Sequence, residues 1–116
     1  MSAFARTYWK CDDLTYGSES PRTQVPRNEA NLVGSRLHDG RHAPAIDVDH
    51  PCALVPSSTE GHYHLLIDKP MAWWRYRVLL RAMVFAGIVE KRYYQHSIKR
   101  KQTFLRLPHI KKEKRG

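Results

Sequence analysis

The sequence predicts an α+β fold: a small, mostly antiparallel sheet with one long helix packed on one face, preceded by an irregular N-terminal arm. Three observations predict it. Residues 45–67 carry three short apolar runs separated by turn residues, residues 68–86 carry a single helical period, and residues 1–43 show neither pattern. A chain of 116 residues has room for one domain with a modest core.

The arm, 1–43, is rich in Gly, Ser, Pro, Asn and charge, with Phe4, Tyr8 and Trp9 as its packing residues. The domain then spans 44–110. "AIDVDH" alternates apolar and acidic residues, which predicts a strand with Ile46 and Val48 on one face and Asp47 and Asp49 on the other. "CALVPSS" predicts a second strand ending at Pro56, and "HYHLLID" a third. Ser58-Thr59-Glu60-Gly61 joins them as a hairpin turn, with Gly61 at a positive-φ position.

Asp68 is the expected N-cap of the long helix, with Pro70 in its first turn and Gly87 as its C′ stop. Trp73, Tyr76, Leu80, Met83 and Val84 recur at three and four and form its apolar face; Arg77 and Arg81 lie on another. "IVEKRYYQHSIKRKQ" predicts a short second helix. "TFLRLP" predicts a last strand closed by Pro108, and a basic tail occupies 111–116.

Charge is the strongest functional signal. Residues 1–68 hold six Lys/Arg against nine Asp/Glu, whereas residues 69–116 hold fourteen against two. A net of −3 followed by +12 predicts a polyanionic partner, nucleic acid above all. The contact residues expected are Arg77, Arg81, Arg92, Lys99, Arg100, Lys101, Lys111 and Lys112, interleaved with aromatic residues such as Tyr93 and Tyr94. No 18-residue apolar run exists, and the first residues lack the apolar core of a secretory signal, so no membrane partner and a cytoplasmic location are expected. Cys11 and Cys52 are too few for a disulfide framework or a cysteine zinc site and read as reduced thiols.

Three smaller groupings carry chemistry. Asp47 and Asp49, about 7 Å apart on one strand face, suit Mg2+ or Mn2+. His62 and His64, two apart on the next strand, suit a metal or phosphate oxygens beside the turn's N–H groups. Arg106 in "FLRLP" suits bidentate recognition of a phosphate. Each also has an ordinary structural reading as a solvated side chain on a sheet face.

Taken in order, "IDVD", "SSTEGHYHLLID" and "FLRLPHIKK" resemble the successive motifs of the archaeo-eukaryotic primase superfamily, in the form found in plasmid and phage replication proteins. The likeness spans residues 45–112. It implies an RRM-like catalytic core and nucleotidyl transfer. Asp47 and Asp49 would hold Mg2+ or Mn2+, with Asp47, Asp49 and His64 as the catalytic set. Ser58, His62, His64 and Arg106 would hold a nucleoside triphosphate, and the basic half a template. The chain also resembles short proteins of actinobacterial phages, which implies a host cytoplasm.

Two other readings stand beside this one. His62 and His64 with Tyr93 or Tyr94 and Lys99 resemble the His-hydrophobic-His nucleases of rolling-circle replication, in which a metal-assisted tyrosine attacks a DNA phosphate. The stretch "IKRKQTF" before Arg106 contains no acid, where the primase family carries a third carboxylate. With the small size of the chain, that sets a third reading level with the first: a nucleic-acid-binding or accessory domain that performs no catalysis.

Overall fold

The computed structural model describes residues 5–107, and the chain divides after Asp47 into two compact units. The class is α+β, with two small antiparallel sheets and two helices.

The first unit replaces the expected irregular arm with a three-stranded sheet. Strand β1 (Arg6–Lys10) lies between β2 (Thr23–Gln24) and β3 (Leu32–Leu37), and a 3-10 turn, Arg27–Glu29, leads from β2 into β3. Both pairings are antiparallel; Trp9 sits opposite Gln24 on one side and Leu32 on the other. The register slips between Arg6 and Tyr8, which places a bulge in β3. The sheet has little hydrophobic periodicity because it buries few residues. Thr7 and Cys11 are only 2% exposed, with Leu37 beside them at 5%.

Polar contacts hold this core. The Trp9 indole N–H donates to Thr7 Oγ1 at 2.9 Å, and the Thr7 hydroxyl donates to the Arg36 carbonyl at 2.8 Å. The Asn31 amide accepts from the Cys11 N–H and donates to the Cys11 carbonyl, as a neighbouring strand would. Gly34 is required by close approach: a Cβ there would lie 2.6 Å from Trp9 Nε1 and 2.9 Å from Thr7 Oγ1.

The second unit begins with the expected hairpin. β4 (Cys52–Pro56) pairs with β5 (Tyr63–Ile67), in register from Cys52 opposite Ile67 to Pro56 opposite Tyr63. Gly61 takes φ +79° in the turn. The flanking strands differ from expectation. Residues 45–49 form no strand; they lie between Pro44 and Pro51, and Asp is itself a poor strand former. Residues 103–107 form no strand; the helices hold Thr103 and Phe104, as described below.

Helix α1 (Trp73–Phe85) starts later than predicted, with extended Ala72 rather than Asp68 at its N-cap and no side-chain cap. Its end follows the prediction. Gly87 at φ +78° donates to the Val84 carbonyl and Ile88 to that of Met83, the two bonds of a Schellman motif. The predicted apolar face is also observed: Trp73, Tyr76, Met83 and Val84 are half-buried and Leu80 is buried. Trp73 and Tyr76 meet edge to face at 5.7 Å.

What this face covers is not the hairpin. Neither helix brings a Cα within 8 Å of either hairpin strand, and in β4 and β5 only Val55 and His64 are half-buried. The partner of α1 is α2 (Lys91–Arg100), which presents Tyr93, Tyr94, Ser97 and Ile98 as its inner face. The helix pair also holds the chain that follows. Tyr76 Oη and Thr103 Oγ1 share a hydrogen bond of 2.8 Å, and Tyr93 Oη donates to the Phe104 carbonyl at 3.4 Å. The physical correction is that an amphipathic helix buries its stripe on the nearest apolar surface. The five residues of the interhelical loop, 86–90, bring α2 there first.

Candidate nucleic-acid interface

Helix α2 divides along its length. Successive residues turn by about 100°. Tyr93, Tyr94, Ser97 and Ile98 therefore fall in one half of its circumference, and all are buried or half-buried. The other half carries two adjacent rows at i, i+4 spacing: Lys91, Gln95, Lys99 and Arg92, His96, Arg100. All six are exposed. No acid or apolar side chain interrupts this face, and none of its four permanent cations has an acidic partner among the described residues.

The helix ends accentuate the field. Lys91 and Arg92 occupy the first turn, where the helix dipole favours acids, and no acid is present there. Lys99 and Arg100 occupy the last turn, and Lys101 follows in the left-handed conformation at φ +57°. On α1, Arg77 and Arg81 are exposed, and the Arg75 guanidinium lies 5.2 Å over the Trp74 ring. Residues 69–110 hold ten Lys/Arg against one Glu, a net of +9. Lys111 and Lys112 lie outside the described residues.

At the hairpin tip the structure joins two residues expected to act together. Arg106 Nη1 donates to Ser58 Oγ at 3.1 Å, with both side chains exposed. The tip is ordered by its own backbone. Ser57 N–H donates to the His62 carbonyl, His62 N–H to that of Thr59, and Ser57 Oγ accepts from Thr59 N–H at 2.9 Å. Of the histidine pair, only His64 lies within a strand. β5 begins at Tyr63, which leaves His62 exposed in the turn, while His64 is half-buried opposite Val55.

Asp47 and Asp49 are exposed on irregular chain, Asp47 closing the first unit and Asp49 in the bend that opens the second. Strand geometry therefore does not set their spacing. Among the described residues no group of three or more His, Cys, Asp or Glu side chains comes together. No nucleotidyl-transfer step is therefore assigned to a metal ion. Of the two candidate tyrosine nucleophiles, Tyr93 is the one whose hydroxyl has a partner. Tyr93 is half-buried, its hydroxyl is engaged, and burial, with Tyr76 nearby, pushes its phenol above the usual range against an opposing hydrogen bond from Thr103.

Lys91, Gln95 and His96 are absent from the contact residues inferred from charge, yet they complete the exposed face. Their signal is the i, i+4 spacing within "KRYYQHSIKR", legible once the helix is read as two rows rather than as a run of bases. Among the described residues no helix is long and apolar enough to cross a membrane, and both cysteines are free, Cys11 buried and Cys52 exposed. No family model, curated protein or solved structure matches the chain.

Proposed function

We propose that this chain is a nucleic-acid-binding module that performs no catalysis, and that its second unit binds the phosphate backbone. One observation carries the reading: the uninterrupted exposed face of α2, with four permanent cations and no salt bridge to an acid among the described residues. Such a face gains affinity by releasing counterions from a polyanion. Lys101 follows directly on this face, and Arg77 and Arg81 are further exposed cations of the same unit. A nucleic-acid partner and two free thiols fit the cytoplasm.

Anisotropy titration of labelled oligonucleotides at several salt concentrations tests this. Four to five phosphate contacts give a log K against log salt slope near −4 for duplex DNA, at about −0.9 per contact. A slope near zero, or no binding at low salt, sinks the proposal.

A second reading is favoured by the Ser58–Arg106 contact: the hairpin tip holds the phosphates of a nucleotide. Mg2+ or Mn2+ enters this reading through Asp47 and Asp49 alone. Binding of ATP that is weakened by Arg106→Ala supports it, and loss of a templated extension activity in Asp47→Ala would add the primase-like chemistry.

A further inference from the structure

Resting on the proposed function, we infer that α2 is a recognition helix for the major groove of duplex DNA, with Gln95 and His96 facing the base edges. A ten-residue helix is about 15 Å long and, with side chains, 10–12 Å across. The major groove of B-DNA, about 12 Å wide, admits such a rod. Within each row a polar reader lies between two cations: Gln95 between Lys91 and Lys99, His96 between Arg92 and Arg100. The paired cations are eight residues, or about 12 Å, apart along the axis. That spacing puts phosphate contacts at the ends of the helix and base contacts at its middle, the division of labour by which phosphates position and bases specify.

The composition of α2 itself favours duplex DNA over other nucleic acids. Single-strand binders stack bases on exposed aromatic rings, whereas the two tyrosines of α2 are on its inner side, half-buried against α1. Duplex RNA has a deep, narrow major groove that does not admit a helix. A lysine in place of Gln95 or His96 would strengthen a purely electrostatic face. Their presence at the centre is what base readout requires, and a glutamine pairs best with adenine through N6 and N7.

The test begins with the full chain and a pool of random-sequence DNA duplexes, followed by sequencing of the bound fraction. The expected result is an enriched site containing an adenine whose replacement weakens binding about 5- to 100-fold. Gln95→Ala removes the preference at that base and leaves the salt slope unchanged, while Lys99→Ala lowers the slope by about 0.9 and leaves the preferred base unchanged. Replacing that adenine with 7-deaza-adenine in the DNA must mimic Gln95→Ala, a check that needs no altered protein. Duplex binding without an enriched site overturns the inference, as does equal or tighter binding of single strands or duplex RNA. Those outcomes leave the proposed function standing, whereas failure to bind any nucleic acid removes it as well.

Discussion

Replacing Lys91 and Arg92 together by Gln moves stability and binding in opposite directions. Both cations sit in the first turn of α2, at the positive end of the helix dipole, with no acid in that turn and no side-chain cap. Each unfavourable charge at an exposed helix start costs about 0.3–1 kcal/mol, so the double variant stabilises the second unit by roughly 0.6–2 kcal/mol. Helix propensity changes little, since Lys, Arg and Gln rank together. Binding loses two phosphate contacts. The salt slope falls by about 1.8, and at 0.15 M salt the affinity drops about 30-fold. Urea unfolding followed by far-UV circular dichroism reads the first quantity, and anisotropy titration reads the second. A lower unfolding midpoint together with unchanged affinity refutes the reasoning, for it would make these residues structural.

Three further outcomes are expected. Thr7→Val preserves shape but strands the Trp9 indole N–H and the Arg36 carbonyl, and it destabilises the first unit by about 2–4 kcal/mol in urea unfolding followed by amide exchange of β1. Thr7→Ser retains both bonds and loses far less. Gly87→Ala places a Cβ at φ +78° with no atom within 4 Å to clash, so its cost is the left-handed backbone alone, about 1 kcal/mol, read as a lower midpoint for the helix pair. Tyr93 has a phenol raised above its unfolded value by burial; the stability it contributes is therefore full below about pH 10 and lost as pH climbs through the raised folded value. A urea midpoint that declines above pH 10 in the parent and declines less in Tyr93→Phe confirms the sign.

The two units differ in how far local pattern reveals them. The hairpin was legible because apolar runs flank a turn ending in Gly61, and α1 because its stripe recurs at three and four before Gly87. The first unit was not, since it buries only Thr7, Cys11 and Leu37 and is held by the Thr7 hydroxyl and by an asparagine that mimics a strand. Hydrophobic periodicity carries no trace of such a core. The alternation in "AIDVDH" misled for the complementary reason. Period-two polarity specifies a strand only where a partner accepts its hydrogen bonds, and prolines at 44 and 51 flank this segment.

From residue order alone came the charge asymmetry, the turn at Gly61, the stop at Gly87 and the apolar face of α1, because each depends on neighbours within a few positions. Only the three-dimensional arrangement decided what that face covers, which half of α2 remains outward, and that Arg106 meets Ser58 from 48 residues away. These follow from competition among distant surfaces for burial. For the apolar face of α1, the short loop 86–90 settled it by bringing the second helix there before the hairpin.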